Sequence, residues 1–112
     1  MGHARILLPL KTIYLSGPIT GRLRREYMAD FACHAVLWKS RGYRVRNPAA
    51  FFKPGWTWVR YMRRDLAMLV KCDAIAMLQD WRESRGARLE VHVAMVLKMP
   101  VYDSASGHFI NE

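Results

Sequence analysis

The spacing of apolar residues changes along the chain, and each change marks an element. Residues 12–16 (Thr-Ile-Tyr-Leu-Ser) have the length and side chains of a short strand. Gly17, Pro18 and Gly21 then punctuate a loop. From about residue 25 to 40, Met28, Phe31, Ala32, Ala35, Val36 and Leu37 recur at helical spacing, and Gly42 stands just past the predicted end. Tyr43-Arg44-Val45-Arg46 alternates apolar and basic, as a short strand near a sheet edge does, and Asn47-Pro48 stops it. Residues 49–55 are a connection containing Pro54 and Gly55. A helix from about Thr57 to Lys71 then carries Trp58, Met62, Leu66, Leu69 and Val70 on one broad face. Residues 73–78 are apolar without alternation, which suits a central parallel strand buried on both faces. Residues 79–83 form a polar loop, and Ser84 can cap a helix running to about Lys98. Pro100-Val101-Tyr102 makes a last strand, and residues 103–112 are left unassigned.

The order β-α-β-α-β-α-β predicts an α/β fold with a parallel sheet and right-handed crossovers. Ligands of such folds bind beyond the carboxyl ends of the strands. That puts the loop at 16–22, the stretch after the second strand and the loop at 79–86 at one rim. There is no internal repeat and no low-complexity segment.

Length and charge narrow the picture. The 112 residues are one domain's worth, with a core from about 12 to 102. No apolar run approaches the roughly 20 residues of a membrane span. The patch from Ile6 to Leu10 is broken by Pro9 and lacks a small-residue cleavage site, so it makes a poor signal peptide. Cys33 and Cys72 are too few and too far apart for a disulfide scaffold; a reducing, cytoplasmic compartment is expected, with each cysteine a small buried apolar residue. The net charge is +9, and the chain has thirteen Arg to five Lys. Arg favours bidentate recognition of phosphate and carboxylate. The basic balance is either a solvated surface or a sign of a phosphate-bearing partner.

Three rim elements carry candidate chemistry. The turn Tyr14-Leu15-Ser16-Gly17-Pro18-Ile19-Thr20-Gly21 can aim backbone N–H groups at an anion, with Arg22, Arg24 and Arg25 following. Ser84-Arg85-Gly86-Ala87-Arg88-Leu89-Glu90 starts a helix. Helical spacing groups Glu90 with Gly86, Ala87, Ala94 and Leu97. It is either a poorly hydrated carboxylate suited to nucleophilic attack or a surface residue paired with Arg88. Asp65, between Met62 and Leu69, is either a proton donor with a raised pKa or the partner of Arg60, Arg63 or Arg64. Asp73 reads as structural. Two carboxylates beside an anion-binding loop describe glycosidic chemistry. His3, His34, His92 and His108 have no metal-ligand spacing, so no metal is expected. Trp56, Trp58, Tyr61 and Trp81 are large enough to stack on a base, though most such rings serve packing.

Over roughly residues 12–102 the chain resembles the nucleoside 2-deoxyribosyltransferase superfamily, including its 2′-deoxynucleoside 5′-monophosphate N-glycosidase branch. More narrowly it resembles small proteins, often from phages and prophages, of the domain of unknown function DUF4406. The resemblance is carried by Tyr14 to Gly21, Asn47-Pro48, Tyr61-Met62-Arg63-Arg64-Asp65-Leu66, Cys72-Asp73-Ala74-Ile75, and Ser84-Arg85-Gly86-Ala87 with Glu90. It implies a small flavodoxin- or Rossmann-like three-layer sandwich with a parallel sheet of about four strands. It implies Glu90 as the nucleophile that forms a glycosyl-enzyme ester and Asp65 as the residue that helps protonate the departing base. By the same resemblance Ser84 and the Gly86 amide hold a 5′ phosphate, while Tyr14 and the loop through Gly17, Pro18, Ile19 and Thr20 wrap the sugar. No cofactor is implied. The chain departs from the glycosidase branch in having Pro18, Ile19 and Thr20 where that branch has Ser, Ile and Arg. Arg22 or Arg24 is left to compensate. A homodimer or higher homo-oligomer is also implied, with the tail of a neighbour completing the site; Ser104, Ser106 and Asn111 are the tail residues suited to that.

The leading expectation is therefore an enzyme acting on the N-glycosidic bond of a nucleoside or nucleotide, as a hydrolase or a transferase. A module that sequesters a nucleotide without turnover would keep the same pocket. Nucleic acid is the less favoured partner, because no helix-turn-helix, zinc-finger or RNP motif accompanies the charge.

Overall fold

The computed structural model describes residues 9–110. Residues 6–8 of the N-terminal apolar patch, His3 and Asn111 lie outside the described residues. The elements follow the predicted order: β1 (Thr12–Ser16), α1 (Arg24–Ser40), β2 (Arg44–Arg46), α2 (Trp58–Leu69), β3 (Ala74–Met77), α3 (Arg85–Val96) and β4 (Val101–Asp103). Short 3₁₀ turns at Pro48–Ala50 and Trp81–Glu83 precede α2 and α3. The four strands form one parallel sheet in the order β2-β1-β3-β4. The basic β2 is at an edge, as its alternation predicts, and the apolar β3 is central with all four residues buried.

The strands' period of two sorts side chains into two cores. Ile13 and Leu15 of β1 join Ala74, Ala76 and Leu78 against α1. Tyr14, Ile75 and Met77 face the other way, against Leu69 of α2 and Ala87, Val91 and Ala94 of α3. The result is a flavodoxin-like three-layer sandwich, with α1 on one face of the sheet and α2 and α3 on the other. Right-handed crossovers require this split once β2 and β3 flank β1 on opposite sides.

Local signals explain most boundaries. Thr57 and Ser84 cap α2 and α3, accepting from the Arg60 and Ala87 amides at 3.1 Å in each case. Asn47 accepts from the Ala49 amide at 3.0 Å, which turns the chain at the end of β2.

The structure corrects several expectations. The buried stripe of α1 is Tyr27, Phe31, Ala35 and Trp38, while Met28, Ala32 and Val36 are exposed. The sheet face opposite is paved with Ala74 and Ala76, which leaves depth for large rings, and rings bury more area than Met or Val. Trp38 also has a polar partner there, donating to Ser104 Oγ at 2.8 Å. Val70 and Leu97 are exposed at the ends of their helices. Cys33 is exposed rather than buried, because it lies outside the α1 stripe. Cys72 is half-buried, with its thiol donating to the Met68 carbonyl.

Part of the unassigned tail is ordered. β4 runs on to Asp103, and Phe109 returns to bridge Tyr102 in antiparallel fashion. Arg41 donates to the carbonyls of Ser104 and Ala105 at 2.7 and 2.8 Å, which fastens this turn to α1. No helix among the described residues is long and apolar enough to cross a membrane.

Candidate functional site

The strand order reverses between β1 and β3, so the connections leaving them diverge to opposite faces. A crevice opens at the carboxyl ends of the two strands. It holds a pocket of about 410 Å³. The loop after β1 supplies Gly17, Ile19 and Thr20, and the start of α3 supplies Ser84, Gly86 and Ala87. Asp65 and Glu90 line it as well. These residues are scattered over the sequence and meet because three βα connections end at one rim.

Two predicted positions lie elsewhere. Pro18 faces a neighbouring cavity. Tyr14 is fully buried behind the pocket, and its hydroxyl donates to Glu90 Oε2.

Glu90 is buried within α3. Ser16 Oγ donates to its Oε1 at 2.6 Å, so each carboxylate oxygen takes one hydroxyl from β1. Positions 14 and 16 share a strand face, which is why both hydroxyls reach one side chain. Burial pushes the Glu90 pKa up to about 7; the bonds from Ser16 and Tyr14 oppose that rise, and the charge of Asp65 adds to it. Arg88, the surface partner considered for Glu90, instead donates to the Arg82 carbonyl at 2.8 Å. Ser16 was not singled out from sequence; its pairing with Tyr14 at i, i+2 was the available signal.

Asp65 combines two of its readings. It faces the pocket and also accepts from Arg64 Nη1 at 3.0 Å. Burial raises its pKa to about 6 against the lowering influence of Arg64. Asp73 accepts from the Thr12 amide at 2.8 Å and ties the start of β3 to β1.

Two glycines allow close approach. A Cβ at Gly17 would lie 2.8 Å from Leu78 Cβ, and one at Gly86 would lie 3.2 Å from Met62 Sδ. The loop and the first turn of α3 can therefore press against their neighbours and form the rim.

The remaining wall is aromatic. Phe51, Phe52, Trp56, Trp58 and Tyr61 line it. Trp56 and Tyr61 stand 5.4 Å apart between ring centres. Guanidinium groups cover four of these rings: Arg24 over Phe52, Arg60 over Trp56, Arg64 over Phe51 and Arg85 over Trp58, at 3.8 to 4.4 Å. Sequence reading undervalued Phe51 and Phe52, which sit in a segment without periodicity. Trp81 is not part of the wall and packs beside the core under α3. Arg22 and Arg24 both line the pocket, but Arg22 is paired with Asp30 at 2.7 Å. Arg25 does not line it.

Of the tail residues, Ser104 and Ser106 are engaged within their own chain. Ser104 is buried between Trp38 and His34, and Ser106 donates to Asp103. No group of three or more His, Cys, Asp or Glu among the described residues could hold a metal ion.

Fold and site together define a parallel α/β protein with an acidic, aromatic-walled pocket at its topological switch point. The chain belongs to the family described as Domain of unknown function (DUF4406), which it matches over residues 11–103. None of the curated proteins matches it.

Proposed function

We propose that the pocket acts on the N-glycosidic bond of a nucleoside or nucleoside 5′-monophosphate, probed first with 2′-deoxy substrates. One observation carries the reading: a carboxylate lines the pocket from a buried position, oriented by two hydroxyls, with a second carboxyl group in the same lining. Each hydroxyl uses one lone-pair site of Glu90, and others remain for attack. Poor hydration favours the nucleophile, while the hydroxyls fix its direction.

In the proposed reaction a Glu90 oxygen bonds to C1′ as the C1′–N bond breaks. The bonding pair leaves with the base, which takes a proton from Asp65. Water then attacks C1′ of the ester and gives its proton to Asp65, and Glu90 is released. A second base in place of water makes the same sequence a transfer. Trp56, Trp58 and Tyr61 offer faces for the departing base, and Thr20, Ser84 and the Gly86 amide hold the sugar and its 5′ group. A homo-oligomer accompanies this reading and is read by light scattering on the purified protein.

The test is a base-release assay with nucleosides and 5′-monophosphates, ribo and deoxy, with and without a second free base. Wild type should release base. Glu90→Ala should lose at least about a thousandfold while keeping its circular dichroism spectrum. Near-normal release by Glu90→Ala would sink the mechanism. Binding without release from any substrate would assign a sequestering role instead.

A further inference from the structure

We infer that Arg64 is a positioning residue: its guanidinium, seated on the Phe51 ring, holds Oδ1 of Asp65 and so puts the acid's proton on Oδ2, toward the pocket. The inference rests on the glycosidic reading above, in which that proton goes to the departing base. Arg64 and Asp65 are consecutive on α2, and consecutive helical positions do not face each other. The 3.0 Å bond from Arg64 Nη1 to Asp65 Oδ1 therefore needs the arginine to fold across its own helix. Phe51 supplies the seat, with its ring centre 3.9 Å from the guanidinium carbon. Stacking covers a face of the guanidinium and leaves its N–H donors at the edge. Phe51 is itself packed against Trp56 and Tyr61, whose ring centres lie 5.2 and 6.2 Å away. Of the other arginines near Asp65 in sequence, Arg60 is stacked on Trp56, and Arg63 makes no ion pair among the described residues.

A guanidinium only donates and keeps its protons. The oxygen it bonds must accept, so the acid form of Asp65 carries its proton on the other oxygen. Among the described residues Oδ2 has no hydrogen-bond partner, whereas every fully buried side-chain oxygen or nitrogen has one. Oδ2 is therefore open, and Asp65 lines the pocket. One oxygen of the carboxyl group is fixed and the other is free to serve the ligand. In the proposed reaction the Oδ2–H bond breaks as the N–H bond of the base forms, and water later returns the proton to Oδ2. Without Arg64 the proton can sit on either oxygen and the carboxyl group can turn. The side chains of Arg64 and Asp65 are 29% and 11% exposed, so solvent screens the pair only in part. Phe51 lines the pocket as well, so a ring of the aromatic wall also sets the direction of the acid.

Two measurements on Arg64→Gln and Phe51→Leu test this. The first is a carbon-13 NMR titration of the Asp65 carboxyl group. Its midpoint should rise by about one pH unit or more in Arg64→Gln, and by less in Phe51→Leu. The second is kcat for base release at pH 5, where Asp65 is mostly protonated in every variant, so that a loss reports the direction of the proton. The substrates are 2′-deoxyadenosine and 7-methyl-2′-deoxyguanosine, as nucleosides and as 5′-monophosphates. The methylated base already carries a positive charge and leaves without a proton. Arg64→Gln should lose about tenfold or more with adenine as leaving group and stay within about twofold with 7-methylguanine. An unmoved midpoint in Arg64→Gln overturns the inference. Equal losses on both leaving groups overturn it too, because a merely structural role lowers both alike. Base release from no substrate removes the glycosidic reaction, and the midpoint then decides by itself whether Arg64 holds Asp65.

Discussion

In the proposed reaction Glu90 makes the attack, and its two hydroxyl partners favour its charged form against the effect of burial. With Glu90 at about 7 and Asp65 at about 6, the proposed reaction needs the first ionised and the second protonated. Activity then rises as Glu90 loses its proton and falls as Asp65 loses its own. The expected kcat/KM profile is a bell centred near pH 6.5, with about one molecule in twenty in the working form. Asp65→Asn should remove the falling limb. Ser16→Ala or Tyr14→Phe removes a bond that favours the ionised carboxylate, so the profile should lose height and its high-pH turn should move up, with about a fivefold loss at pH 7 for a rise of about one pKa unit. An unchanged height and an unmoved high-pH turn in both variants would mean that the hydroxyls do not tune Glu90. Sequence made Glu90 and Asp65 visible as acidic residues at helical spacing from apolar ones. It hid Ser16, because a strand serine becomes meaningful only once α3 is known to lie over that face of β1.

At the scale of elements, the loop after β1 depends on the missing side chain at position 17. Gly17→Ala should cost about 1–3 kcal/mol in urea unfolding, because the new methyl group meets the Leu78 Cβ, which cannot swing aside. The same variant should weaken ligand binding, since the loop lines the pocket. A stability unchanged within error would show that the loop has slack. The strands and helices were legible because their periods are distinct, and β3 stood out as an unbroken apolar run. The face of α1 was misread for a physical reason. Met28, Ala32 and Val36 are as apolar as the residues actually buried, and only the alanine-paved sheet decides that Tyr27 and Trp38 point inward. The aromatic segment before α2 has no period at all, so its place in the pocket wall was not readable from spacing.

For the whole molecule, the buried acid links stability to pH. The folded pKa of Glu90, about 7, lies above its ordinary value of 4.5. Its contribution is therefore fully present below pH 4.5 and is lost as pH rises through 7. Thermal melting should fall from pH 5 to pH 8, and Glu90→Gln should flatten that fall. The difference between the two proteins should be on the order of 3 kcal/mol at most. Parallel curves would place Glu90 in a wetter setting than its burial indicates.

Ser16 and Glu90 are 74 residues apart in the chain, and Tyr14 and Glu90 are 76. Synthesis runs from the N-terminus, so β1 leaves the ribosome seconds before its acidic partner, at about 5–20 residues per second. Until α3 arrives, the two hydroxyls of the central strand have no carboxylate to hold, and one flank of the strand is uncovered. A nascent chain stopped in the 80s would lack both the acid and the helix that covers it. The step that completes the pocket is thus also the step that finishes the layer begun by α2.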